Sequence, residues 1–253
     1  MDEVDVPIHS ARKMRIICIG AGPSGLCFAY KLQRSFENFE LVLYDKNSQV
    51  AGTWFENTYP GCRCDLPSVN YVYTFEPKLD YATVYAPASE IRKYFEDFSK
   101  KHELGVYCKL QHKVLGAQWD DENTRWNLRI QNRASGITLQ DSCDILISAT
   151  GYLNNWQWPT INGLEKFEGP LLHSAAWRDE VSLVGKRVGL IGNGYLASFS
   201  PLIMIAKADK VIGHPNTTLN STGRGYTDNF YSQSDLGVTT VWTSTTCVSR
   251  DGA

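Results

Sequence analysis

The stretch that decides the fold is residues 14–25, MRIICIGAGPSG. Its first half, Met14–Ile19, is a short apolar run of the kind found in a buried parallel strand. The second half, Gly20–Gly25, has the spacing G-x-G-x-x-G, and a helical pattern follows it over Leu26–Phe36. Glu40–Tyr44 is a further strand candidate. The order strand, turn, helix, strand is the opening of a doubly wound α/β sheet.

The glycine turn predicts a dinucleotide site. Gly20 permits a tight turn, Gly22 lets a pyrophosphate approach the backbone, and Gly25 lets the helix pack on the strand. The helix N-terminus carries a partial positive charge that attracts phosphate. Asp45 lies 25 residues after Gly20 at a strand end, where its carboxylate can accept hydrogen bonds from ribose hydroxyls. A purely structural turn, without a nucleotide, is the alternative.

A second glycine motif follows another strand candidate, Arg187–Ile191. Its residues Gly192, Asn193 and Gly194 begin the spacing G-x-G-x-x-A. Two such turns in one chain indicate two dinucleotides, as in a flavoprotein that receives a hydride from a nicotinamide. Pro201 interrupts the helix that should follow, because proline removes a backbone donor and clashes with the preceding turn. Binding and its absence therefore both stay open at this second turn.

Further segments fill out the α/β pattern. Ser89–Leu104 is an amphipathic helix candidate with Ser89 as its N-cap. Lys113–Trp119 and Arg125–Gln131 alternate and are separated by a polar turn, which predicts an antiparallel meander. Asp144–Ala149 is another apolar strand candidate.

Composition narrows the class of protein. The chain has 253 residues, with 25 Lys and Arg against 27 Asp and Glu, so it lacks the basic excess of a nucleic-acid-binding protein. Its seven cysteines are odd in number and lack a Cys-x-x-C pair, which disfavours a disulfide scaffold or a metal site. The acidic N-terminus is unlike a secretory signal, and no apolar run is long enough for a membrane span. We expect an intracellular, cytoplasmic protein.

Between the two turns the sequence resembles the flavin-containing and Baeyer–Villiger monooxygenases. The residues that carry the resemblance are Ala51-Gly52-Thr53-Trp54, Tyr59 to Pro67, Tyr71, Ala149 to Asn154, and the pattern Phe167-x-Gly169-x-x-x-His173-x-x-x-Trp177. The last is the most specific, because four fixed residues at that spacing seldom arise by chance.

The resemblance implies FAD at the first turn and NADPH at the second. NADPH would reduce the flavin, O₂ would react with the reduced flavin, and one oxygen atom would enter a ketone, an aldehyde or a soft heteroatom. The expected partners are a small organic substrate and O₂, in a biosynthetic pathway, with no nucleic acid and no membrane span.

The resemblance also assigns site residues. Asp65 is the catalytic candidate, beside the isoalloxazine, where it would orient an arginine. The cofactor contacts implied are Thr53, Trp54 and Tyr71 at the flavin, Arg63, Cys64 and Asp65 bordering the nicotinamide, Val114 on the adenine side, and His173 in the linker between the nucleotide domains. Structural alternatives are Trp54 in a core, Asp65 in a turn, and His173 hydrogen-bonded to backbone.

The fold expected is α/β: a doubly wound, Rossmann-like FAD-binding domain with an antiparallel meander, then a partial NADPH-binding Rossmann domain. Residues 1–153 would form the first, residues 154–213 the linker and the second, and residues 214–253 a Ser/Thr-rich flexible tail. That tail does not resemble the continuation of the family, which predicts a relative truncated at the C-terminus. A catalytically impaired FAD-binding relative and a non-enzymatic interaction module are therefore the alternative functions.

Overall fold

The computed structural model describes residues 12–152, 154–158, 163–191, 210–213 and 238–242. The chain divides into two compact units: unit 1 takes in Met1–Thr53 and Arg92–Gly151, and unit 2 takes in Trp54–Ile91 and Tyr152–Ala253. No helix among the described residues is long and apolar enough to cross a membrane. The domain boundaries predicted at residues 153 and 213 stay predictions.

The described elements are given in chain order. The strands are β1 (Met14–Ile19), β2 (Phe39–Tyr44), β3 (Cys108–Lys109), β4 (His112–Asp120), β5 (Arg125–Asn132), β6 (Thr138–Cys143), β7 (Ile145–Ser148), β8 (Leu171–His173), β9 (Arg187–Ile191), β10 (Lys210–Gly213) and β11 (Val238–Trp242). The α-helices are α1 (Pro23–Ser35), α2 (Thr53–Glu56) and α3 (Ala88–Lys101). Short 3₁₀ turns cover Ser68–Tyr71, Leu104–Tyr107 and Leu164–Lys166.

Unit 1 is built on a parallel sheet of order β3-β2-β1-β7. Successive side chains of a strand point to opposite faces, so each strand serves two layers. On one face Ile17 and Val42 join Leu128 and Ile130 of the meander in an apolar cluster. Cys18 points the other way, toward α1, where its Sγ lies 3.6 Å from the position that a Cβ on Gly25 would take. The sheet is thus covered by the meander on one face and by α1 on the other.

The meander of order β4-β5-β6 is antiparallel throughout. The sequence predicts the antiparallel pair β4 and β5 and misses the third strand, β6. A charged network fixes it to the parallel sheet. The Arg15 guanidinium donates to both carboxylate oxygens of Asp141 at 2.8 Å, and the Tyr44 hydroxyl donates to the same carboxylate at 2.7 Å. Hydrogen bonds between a guanidinium and a carboxylate are stronger than those between neutral groups, so this network holds β6 on the parallel sheet.

Unit 2 contains a second parallel sheet of order β10-β9-β11-β8. The strand β9 has the bounds predicted for it, Arg187–Ile191. Five residues of the stretch 214–253 form β11; the rest of that stretch lies outside the described residues. The predicted α/β class, with two parallel sheets and an antiparallel meander, is confirmed.

Two helix predictions need correction at their starts. The first helix begins at Pro23 rather than Leu26, since proline is well suited to the first helical position. The third begins at Ala88, so Ser89 lies inside its first turn and is not the N-cap. Backbone bonding explains this second shift, because Glu90 N–H already donates to the carbonyl of Pro87.

Candidate nucleotide-binding site

Two positions of the turn Gly20–Gly25, those of Gly20 and Gly25, are too crowded for a side chain. Gly20 has φ +110°, and a Cβ on it would lie 2.4 Å from the carbonyl oxygen of Ala149. A Cβ on Gly25 would lie 2.0 Å from the carbonyl oxygen of Gly20. Real contacts of this kind do not fall below about 3 Å, where repulsion rises steeply. Both positions therefore require glycine for the turn to form.

Ala51 and Gly52 form a backbone wall that packs against the turn. The N–H of Ala51 donates to the carbonyl oxygen of Ala21 at 3.1 Å. Gly52 has φ +53°, and a Cβ on it would lie 2.9 Å from the Cα of Gly22. In the other direction, a Cβ on Gly22 would meet that Cα of Gly52 at 3.4 Å. A Cβ on Gly22 would therefore be in ordinary contact with this wall, whereas one on Gly52 would be too close to the turn.

The N-terminus of α1 suits an anionic ligand. Pro23 opens the helix, and within the described residues no side chain makes a capping hydrogen bond there. The first turn contains no acidic residue. The positive end of the helix dipole is therefore not neutralised by the helix itself, and backbone N–H groups at such an end bind phosphate readily. The crowded glycine turn and this helix end fit the diphosphate of a dinucleotide such as FAD.

Asp45 ties the end of β2 to the turn. It is 5% exposed; its Oδ2 accepts the N–H of Ala21 at 2.7 Å and its Oδ1 accepts the N–H of Asn47 at 2.8 Å. Gly20 N–H in turn donates to the carbonyl of Tyr44 at 2.8 Å. The carboxylate holds the turn against the strand. Its predicted contact with ribose hydroxyls stays a prediction.

In unit 2 the structure brings together three residues predicted to contact the flavin. The Tyr71 hydroxyl donates a hydrogen bond to Oδ1 of Asp65. The ring of Trp54 lies edge-on to the ring of Tyr71, with centroids 5.0 Å apart and planes at 80°. Burial, followed by the bond to Asp65, raises the pKa of Tyr71 above its usual value. Tyr71 therefore remains a donor to the carboxylate throughout the neutral range.

Arg63 and Cys64 are fixed by their backbone. Arg63 forms an antiparallel bridge with Pro87, and Cys64 N–H donates to the carbonyl of Ala86 at 3.1 Å. The Cys64 thiol is buried 3.8 Å from the hydroxyl of Ser68, which also accepts the N–H of Ala86 at 2.8 Å. The sequence analysis missed Ser68, because its hydroxyl contacts residues 15 to 18 positions away and so leaves no local signal.

Further candidates are Thr53, Val114 and the second glycine turn. Thr53 is exposed at the start of α2, in unit 1. Val114 packs, half-buried, against the apolar cluster beneath the meander. Gly192, Asn193 and Gly194 lie outside the described residues.

His173 is enclosed by aromatic rings. It is 2% exposed on β8 and stacks on Trp156 with centroids 4.6 Å apart, while Trp158 lies edge-on at 5.7 Å. Its Nδ1 accepts the N–H of Ala175 at 3.1 Å. Burial lowers the pKa of His173 below its ordinary value, so the ring is neutral at pH 7. The structural alternative considered for this residue, a hydrogen bond to backbone, is present.

The turn, its helix and the parallel strands around it define a Rossmann-type dinucleotide-binding fold. A family model for an NAD(P)-binding Rossmann-like domain matches residues 18–82.

Comparison with whole proteins is more specific. The chain is 40% identical over 210 residues to the FAD-binding monooxygenase tazF of Aspergillus terreus, an alignment covering 82% of this chain and 37% of that protein. It is 34% identical to a Baeyer–Villiger monooxygenase of Streptomyces coelicolor, over 72% of this chain and 34% of the other. A solved OTEMO complex with FAD and NADP superposes with TM-score 0.70 at 26% identity, covering 81% of this chain and 39% of that one.

Over about four fifths of its length this chain is similar to a protein named FAD-binding monooxygenase, and over 72% of its length to one named Baeyer–Villiger monooxygenase, so the predicted resemblance is confirmed. It spans little more than a third of the length of these relatives.

Proposed function

We propose that this chain binds FAD through the Gly20–Gly25 turn and serves an FAD-dependent monooxygenase reaction that consumes NADPH. The observation that carries the proposal is the turn itself. Two of its glycines admit no side chain, a second backbone segment supports it, and no side chain in the described part of the chain makes a capping hydrogen bond to the adjoining helix. The sequence similarity to enzymes named FAD-binding monooxygenases selects FAD among dinucleotides.

Different residues of the chain would hold different parts of the cofactor. The N–H groups at the start of α1 would bind the diphosphate, and Asp45 would keep the turn in register while facing the ribose. Trp54, Tyr71 and Asp65 would border the flavin ring. When bound, FAD would supply the redox chemistry, namely hydride acceptance and oxygen activation. Gly192 to Gly194 would form the turn for NADPH.

Asp65 and Tyr71 would act as a pair in this scheme. The hydroxyl of Tyr71 donates to the carboxylate, so its position is fixed before a ligand arrives. A carboxylate oriented by one donor keeps lone pairs for a second, such as the arginine that the family resemblance implies. The substrate we propose is a small ketone, aldehyde or soft-heteroatom compound, of the class that Baeyer–Villiger monooxygenases oxidise. The biosynthetic role and the cytoplasmic location stay predictions.

The test is the visible absorption spectrum of the purified chain, reconstituted with FAD and then mixed with NADPH without oxygen. Retained flavin that bleaches with NADPH supports both nucleotide sites and justifies assays with ketones. Retained flavin that does not bleach would confine the function to FAD binding. A chain that retains no flavin would contradict the proposal and favour a truncated relative without the family's chemistry.

A matched pair of variants ties the result to the turn. Gly20→Ala places a Cβ against the carbonyl of Ala149 and should abolish flavin retention. Gly116→Ala adds the same methyl group where no atom lies within 4 Å, so flavin retention should be unchanged. Equal retention by both variants would separate flavin binding from the turn.

A further inference from the structure

Ala51 has an unusual backbone conformation for a buried residue. Its φ is +86°, in the left-handed region, where a Cβ crowds the backbone. The other non-glycine residues with positive φ in the described part of the chain are Asn38, Glu103, Gln111 and Thr124. All four are exposed, whereas Ala51 is 0% exposed. Ala51 therefore combines backbone strain with burial.

The strain lies in the wall, Ala51 and Gly52, that packs against the Gly20–Gly25 turn. Two consecutive positive φ angles, at Ala51 and Gly52, fold this segment back so that it meets the turn. The Ala51 N–H reaches the carbonyl of Ala21, and Gly52 seats against Gly22. Gly52 takes this conformation without cost, whereas Ala51 does not. Strained residues that persist at a site do so because the surrounding structure holds them there.

We propose that Ala51 is a positioning residue that limits how tightly this chain binds FAD. The inference rests on the proposed function, namely FAD at the Gly20–Gly25 turn. Because the left-handed alanine disfavours the arrangement in which the wall supports the turn, only part of the molecules present a complete site. Apparent affinity falls in proportion to that part. Ala51→Gly removes the strain, keeps the N–H that bonds to Ala21, and enlarges the binding-competent population.

The experiment is a titration of the full chain with FAD, followed by flavin fluorescence, for the parent and two variants. Ala51→Gly should lower the dissociation constant about fivefold, the net of strain relief and the added chain entropy of glycine. Thr124→Gly is the matched control, since Thr124 also has a positive φ, of 48°, but lies in the exposed meander turn. Its FAD affinity should equal that of the parent.

A thermal unfolding series without FAD completes the test. Both variants relieve a left-handed residue, so both should unfold at a temperature no lower than the parent. If the parent binds FAD and Ala51→Gly binds it no more tightly, the inference is overturned, whatever the unfolding temperatures. If the parent binds no FAD, the proposed function fails first and this inference fails with it. Tighter binding by Ala51→Gly alone supports the role of Ala51.

Discussion

The glycine turn of unit 1 and the Trp54–Asp65–Tyr71 group of unit 2 are held by different kinds of contact. The turn consists of backbone atoms in contact, with Gly20, Gly25 and Gly52 leaving no room for a Cβ. The group in unit 2 consists of side chains that meet through a hydrogen bond and an edge-on ring contact. A backbone contact fails with one added methyl group, whereas side-chain contacts are lost one at a time. The two regions should therefore respond very differently to substitution.

The largest effect should come from Gly25→Ala. Its Cβ would overlap the carbonyl of Gly20, so either the helix or the turn must move, at a cost of about 3 kcal/mol or more. Urea unfolding measures the loss of stability. Gly105→Ala, where no atom lies within 4 Å of the new Cβ, is the control and should change stability little. Equal unfolding curves for both variants would show that the turn is no more sensitive to an added methyl group than an open position is.

Asp45→Asn tests a side chain that holds the turn. The carboxylate accepts two backbone N–H groups, and an amide can accept only one of them through its oxygen. Leaving a buried donor without an acceptor costs about 1–3 kcal/mol. Urea unfolding should show that loss for Asp45→Asn and none for the exposed Asp179→Asn. A neutral result at Asp45 would mean that backbone contacts alone hold the turn.

Tyr71→Phe should have a smaller effect. It removes the donor to Asp65 and keeps the ring against Trp54, so stability should fall by less than about 1 kcal/mol. On the proposed function, the flavin absorption band should shift while flavin retention stays close to that of the parent. Tyr152→Phe, at a site that is 89% exposed, is the control. Loss of flavin on Tyr71→Phe would show that the side-chain group is as intolerant as the turn.

The smallest effect should be a pH dependence at His173. Burial lowers its pKa in the folded state, so the neutral ring contributes stability above the ordinary value near 6.5. That contribution is lost as the pH falls through the folded pKa. An NMR titration of the ring should show a midpoint below 6.5. A midpoint at or above that value would mean that the two tryptophans do not exclude water from the ring.

Local pattern alone predicts much of the fold. The strands β1 and β9 have the bounds expected from their apolar runs, because a buried parallel strand needs apolar residues on both faces. The strand β6, TLQDSC, was missed because it lacks an apolar alternation. Its Asp141 is held by Arg15, a residue 126 positions away. Pairing over that distance leaves no local signal.

The site divides in the same way. The spacing of Gly20, Gly22 and Gly25 predicts the turn, because the backbone geometry of one short segment determines where glycine is needed. The wall formed by Ala51 and Gly52 could not be predicted, because its contact with the turn joins residues about 30 positions apart without a pattern of residue types. The grouping of Trp54, Asp65 and Tyr71 followed from family resemblance, and the hydrogen bond within it only from the structure.

The contact between Gly20 and Ala149 determines when, during synthesis of the chain, the glycine turn can take its final shape. The strand β7 pairs directly with β1, and Ala149 N–H donates to the carbonyl of Ile19. The glycine turn therefore gains its last supporting strand only after residue 149 has left the ribosome. A nascent chain that ends before that residue has the whole glycine motif but not its finished shape. On the proposed function, capture of FAD during translation would begin only beyond that point.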